Sequence, residues 1–197
     1  MSLLVNENAG KRSIAAKLLP LTCEVTDILL NSLEKEPALY TRLAITDKLE
    51  NGNSTTALKM IDYLAVIGKN QHQFPVSPSK KKGFPLPRDL IARSLGRMDS
   101  EIFPTLLDSA EKLPISKLSE LIDAIGYMVF YDPALATLEN YQRLLQIKKA
   151  HTTEILIQWK FLICFSAFPQ SKELLLKEEQ FVEESQRSLR IIAAKKD

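Results

Sequence analysis

Two histidines, two cysteines and a single tryptophan are the side chains of this 197-residue chain best suited to catalysis or ligation. A catalytic histidine works with a nucleophile, an acid or a metal ligand that the fold brings beside it. His72 falls in a proline-rich stretch and His151 opens the turn His151-Thr152-Thr153. Neither has such a companion in its neighbourhood, so both read as surface or capping imidazoles. Cys23 and Cys164 are far apart and form no C-x-x-C pair, which suits reduced thiols in a cytoplasmic setting better than a disulfide framework or a zinc site. Cys164 and Trp159 share the most apolar segment of the chain and read as an inert buried thiol and a core or helix-interface ring.

Other familiar chemistries leave no trace. There is no phosphate-binding glycine loop, H-E-x-x-H, EF-hand or nucleophile elbow, and six glycines are too few for most backbone-cradled phosphate sites. The motifs therefore call for no metal and no cofactor, and a conventional nucleotide enzyme is not expected. Lys80, Lys81 and Lys82, with Arg88, form a local basic stretch between prolines. It reads first as a solvated, mobile loop, then as a contact for an acidic protein, and last as a phosphate-binding patch. The acidic run Glu178, Glu179, Glu183 and Glu184 reads as a solvated helix face.

The elements that would position these groups are helical. Leucine occurs 31 times against 6 valines, a helix-leaning balance. Lys and Arg number 26 against 24 Asp and Glu, so the net field demands neither nucleic acid nor a membrane surface. The longest apolar stretch, Ile155 to Phe168, is interrupted by Gln158, Lys160 and Ser166 and is too short to cross a bilayer. No secretory signal core follows Lys11, Arg12 and Lys17.

Periodicity predicts a helix at Ile102, Phe103, Leu106, Leu107, Ala110 and Leu113, closed by Pro114. A second follows from Ser116 through Leu118, Leu121, Ile122, Ile125 and Val129, packing antiparallel to the first. Asp132-Pro133 opens a third carrying Leu135, Leu138, Tyr141 and Leu145, and a fourth runs from Glu154 to Phe168. Upstream, helices are predicted over 22–36, from Pro37 to Glu50 and from Ser54 to Gly68. A last helix spans Ser171 to Ala194 with a break near Glu184. Residues 70–87, with Pro75, Pro78, Gly83, Pro85 and Pro87, form an insertion of a kind unusual inside a compact domain.

Helix pairs begin near Val25, Ala57, Ile102 and Leu135, at steps of 32, 45 and 33 residues. With the insertion counted as about 15 residues, the steps suit a two-helix repeat. Ser100-Glu-Ile-Phe-Pro104-Thr-Leu-Leu resembles the helix opening of the HEAT-repeat family, including the HEAT-like repeats first associated with phycobilin lyases. Arg88-Asp-Leu-Ile-Ala-Arg-Ser-Leu95-Gly96 resembles that family's second signature, and Ile125-Gly126 and Arg42 with Leu49 echo it. The resemblance covers residues 22–168 and implies an all-α superhelix, a short HEAT/ARM-like solenoid of antiparallel helix pairs. One such domain would fill 1–197, as a fragment or small member of a repeat protein. Gly96 and Gly126 would permit close helix approach.

Such a fold implies a non-enzymatic scaffold that binds protein partners on a concave surface. Asp62, Tyr63, Thr105, Asp108, Glu139 and Arg143, opposite the apolar stripes, are the expected lining if the second helix of each pair faces inward. The alternative is a DNA-binding or alkylated-DNA repair module, because the HEAT-like architecture includes glycosylases with aromatic and acidic residues beside a basic groove. No segment here matches that site pattern. A lyase or chaperone for a small molecule would need an apolar pocket with convergent polar groups.

Overall fold

The computed structural model describes residues 2–81 and 83–194. The described residues contain eleven α-helices and no strand, and ten of the helices form two rows. The first helices of successive pairs are α2 (Cys23–Lys35), α4 (Ser54–Ile61), α6 (Phe103–Ala110), α8 (Leu138–Ala150) and α10 (Lys172–Leu176). The second helices are α3 (Leu39–Glu50), α5 (Leu90–Leu95), α7 (Ile115–Tyr131), α9 (Ile155–Phe165) and α11 (Val182–Ala194). Each second helix packs on its own partner and on the second helix before it, and α2, α4, α6 and α8 pack in sequence beside them. The product is an all-α superhelix of antiparallel pairs, opened by an additional helix α1 (Ala9–Leu18) that lies on α3.

The rows hold because each helix has a stripe to bury on two neighbours. Leu29, Leu30 and Leu33 of α2, Ile45 and Leu49 of α3, and Met60 of α4 are fully buried. In α9 every residue from Ile157 to Phe165 except Gln158 is buried, because α7, α8 and α11 all pack on it. Gly126 fulfils its expected role. A Cβ there would lie 2.9 Å from the Cα of Cys164 on α9 and 2.6 Å from Cζ of Phe84. Polar pairs repeat with the helix-pair period along the first row: Lys59 donates to Asp27 at 2.6 Å and Tyr63 to Asn31 at 2.9 Å, each 32 residues apart.

Several boundaries differ from expectation for local reasons. Helix α1 was not anticipated. Its two buried side chains are alanines, Ala15 and Ala16, and it is fastened instead by Arg12, which donates to both carboxylate oxygens of Glu36 at 2.8 and 2.7 Å. Pro37 precedes α3 rather than filling its first turn, and Glu36 accepts from the Ala38 amide there. The helix expected to reach Gly68 stops at Ile61 and turns through Ala65 (φ 63°) and Gly68 (φ 96°). Helix α6 ends at Ala110, short of Pro114. Pro133–Leu135 form a separate 3-10 turn, and Thr137 caps α8. The last helix breaks at 177–181, where the Glu178 carboxylate accepts from the amides of Gln180 and Phe181 at 2.9 and 3.1 Å and sets the start of α11.

Candidate functional site

The insertion joins α4 to α5 and crosses the second-helix row, where three side chains pin it. Phe84 is buried against the gap left by Gly126, with its ring 5.4 Å from Phe130 and 6.3 Å from Tyr127. Arg187 of α11 donates to the carbonyls of Ser79 at 3.0 Å and Gly83 at 2.9 Å. His72 packs edge-on against Trp159, ring centroids 5.0 Å apart. At the far end Asp89, buried, accepts from the Ala65 amide, the Gln71 side chain and the Ala92 amide, tying the turn after α4 to the start of α5. The segment expected to be a solvated loop is thus docked, because it carries an aromatic anchor and offers carbonyls to a guanidinium supplied by the last helix.

Beneath it lies a group of buried charges. Lys160, fully buried on α9, donates to Glu120 at 2.8 Å and Asp123 at 3.0 Å, both on α7. Burial opposes the charge of Lys160, but the two carboxylates outweigh it and hold the ammonium above the ordinary lysine range. Burial pushes the Glu120 carboxyl up, with Lys160 pulling the other way, and its Oε2 has no hydrogen-bond partner among the described residues. Glu184 was expected on a solvated face. It is 3% exposed, its carboxyl pushed up by burial, and it accepts from Arg187 at 3.1 Å. Glu179 and Glu183 are exposed as expected, with Glu178 half-buried.

The docked segment and the row beneath it enclose a cavity of about 380 Å³. Trp159 and Ile163 face Val76, Pro85, Leu86 and Pro87 across it, and Asp123, Glu184 and Arg187 line its polar side. Lys81 and Arg88 complete the wall from the segment, both exposed. A second hollow of about 330 Å³, between Pro75, Pro78 and Phe181, shares Trp159 and Glu184 with the first. His72 also lines the main cavity. It is half-buried and its Nδ1 has no partner among the described residues; burial lowers its pKa, with Asp123 opposing and Lys160 and Arg88 adding to the effect. An apolar cavity with a few convergent polar groups is the usual form of a ligand site.

The residues expected to bind a partner lie elsewhere. Asp62 follows α4, Thr105 and Asp108 belong to α6, and Glu139 and Arg143 to α8. All therefore stand on the first-helix row, and a face made by second helices does not contain them. Asp62, Thr105 and Asp108 share a groove between α4 and α6. The two carboxylates join repeats: Arg143 donates to Asp108 at 2.8 Å and to Glu111 at 2.6 Å, and Lys117 donates to the Asp62 backbone carbonyl at 2.7 Å with the Asp62 carboxylate 3.9 Å away. Tyr63 bonds to Asn31, and Glu139 is exposed at the start of α8. Of the basic stretch, Lys80 is exposed, Lys81 and Arg88 reach the cavity, and Lys82 lies outside the described residues.

Asp123, Glu184 and Arg187 were missed, and Trp159 and His72 were assigned bland roles. One signal was present: a lysine in the middle of a largely apolar helix requires a buried carboxylate partner, which α7 supplies as Glu120 and Asp123. Cys164 is buried as expected, and burial pushes its thiol up; Cys23 is exposed, and both are free. No group of three His, Cys, Asp or Glu residues able to hold a metal occurs among the described residues, nor is any described helix long and apolar enough to cross a membrane.

The fold and this cavity define the class: an all-α superhelix of helix pairs with an internal segment laid over its second-helix row. Comparison of the chain with protein-family models, curated proteins and solved structures finds no match.

Proposed function

We propose that this protein is a cytoplasmic, HEAT-like interaction scaffold that receives an extended segment of a partner protein between residues 70–88 and the second helices α7, α9 and α11. One observation carries the reading. An insertion inside a helix pair is clamped by Arg187 from the last helix, so that it walls a ligand-sized cavity instead of extending into solvent. Repeat proteins bind extended partners along one helix row, and here the second row bears the cavity walled by the insertion while charges on the first row are used to join repeats.

A photo-crosslinking side chain placed at Leu86, which is exposed and lines the cavity, tests this in the native cell. The same probe at Thr105 serves as the first-row control. A defined protein captured from Leu86 and not from Thr105 supports the reading. Capture from Thr105 alone, or identical patterns from both, removes it.

The DNA-binding reading draws on exposed Lys80, Lys81 and Arg88 at the same place. It predicts duplex binding that weakens steeply with salt. Absence of binding at low salt disposes of it.

A further inference from the structure

We infer that the cavity selects an acidic segment that also carries an aromatic or other large apolar side chain, an inference that rests on the interaction-scaffold reading. Charge accounting gives the sign. Both carboxylates lining the cavity are already matched, Asp123 by Lys160 at 3.0 Å and Glu184 by Arg187 at 3.1 Å. Lys160 also serves Glu120, and with all three of these carboxylates charged the cations around the cavity, Lys160, Arg187, Lys81 and Arg88, still outnumber them. The two remaining lining cations, Lys81 and Arg88, have no carboxylate within ion-pair distance among the described residues. The uncompensated charge at the cavity is therefore positive, and it stands on the exposed side where a ligand arrives.

The deeper walls set the rest of the chemistry. Trp159 and Ile163 on α9 face Val76, Pro85 and Leu86, and they leave room for an apolar group but offer it no charge. A ligand that places an apolar side chain against Trp159 and carboxylates beside Lys81 and Arg88 matches both parts. A nucleic-acid backbone matches less well. It would leave the apolar faces of Trp159 and Ile163 unused unless a base left its stack. Lys81 and Arg88 are exposed and make no ion pair among the described residues, so reversing their charge leaves the fold's described ion pairs in place.

Trp159 is the chain's single tryptophan and lines the cavity, so its emission reports occupancy directly. Random dodecapeptides without tryptophan, displayed and selected on the full chain, are the probe. The expected winners carry Asp or Glu beside Phe, Tyr or Leu and shift Trp159 emission saturably. They bind the Lys81→Glu, Arg88→Glu double variant at least about tenfold more weakly, and they bind more weakly in high salt. Winners that are neutral or basic, or that bind the double variant equally well, overturn the acidic preference. If they still shift Trp159 emission, the scaffold reading stands without it. If no selected peptide shifts that emission, both readings fall. A short DNA duplex that displaces the peptides and shifts the emission itself replaces both with the nucleic-acid reading.

Discussion

Arg187 of α11 and Ser79 of the internal segment are joined by a 3.0 Å hydrogen bond across 108 residues of chain. The same guanidinium holds Gly83 and the buried carboxylate of Glu184, so one side chain couples the last helix pair to a segment that begins in the second. Replacing it with leucine is expected to free residues 70–88 and to leave Glu184 buried without a cation. Truncating one partner of a buried pair costs about 3 kcal/mol. Limited trypsin digestion checks this: cleavage after Lys80 and Lys81 should become fast in Arg187→Leu under conditions where the parent is slow. Equal rates would show that Phe84, His72 and Asp89 secure the segment without Arg187.

Gly126 is the second anchor. An alanine there would press on the Phe84 ring and on the Cα of Cys164, and backbone cannot yield cheaply. Overpacking of this kind costs about 1–3 kcal/mol. Gly83→Ala provides the contrast, since a Cβ there meets nothing within 4 Å, and a change within about 0.5 kcal/mol is expected. Urea unfolding of the two variants measures the difference.

Much of this architecture was legible in the sequence, and the reason is local. The apolar stripes through Leu118 to Val129 and Leu106 to Ala110 each repeat within a few turns of helix. Helix α1 was hidden because an arginine, not an apolar stripe, attaches it. The cavity was hidden for a stronger reason. Its walls combine the segment from His72 to Lys81 and from Pro85 to Arg88 with Asp123, Trp159, Ile163, Glu184 and Arg187, and nothing in the segment itself announces that Arg187 will reach back to it. The first-row candidates were chosen for polarity opposite a stripe, and polarity there also suits the repeat-to-repeat pairs that Asp108, Arg143 and Tyr63 form.

His72 should leave a signature in the pH dependence of stability. Burial depresses its pKa in the folded chain below the ordinary value of about 6.5. The unfolded chain therefore takes up the proton first as pH falls below that value. The contribution from neutral His72 is present above about 6.5 and is lost progressively as pH falls toward the folded pKa. The raised carboxyls of Glu120 and Glu184 act with the opposite sign, their destabilising effect being relieved as pH falls through their folded pKa values toward about 4.5. His72→Phe keeps a ring against Trp159 and removes only the first effect. Stability measured from pH 7 to 5 should fall less in the variant than in the parent, and equal slopes would place His72 in a solvated setting.

The two thiols should separate cleanly. Cys164 is buried and its thiol is pushed up, whereas Cys23 is exposed. An aromatic disulfide reagent should titrate one thiol in the native protein and two after unfolding. Rapid modification of both in the native state would mean that α9 opens readily.

Hydrogen exchange of the full chain, with and without the protein captured through Leu86, tests the central claim most directly. The partner should slow exchange in residues 70–88 and along α9 and α11, and leave α4, α6 and α8 unchanged. Protection confined to the row of Asp62, Asp108 and Arg143, with none over residues 70–88, would contradict the assignment of the cavity as the binding site.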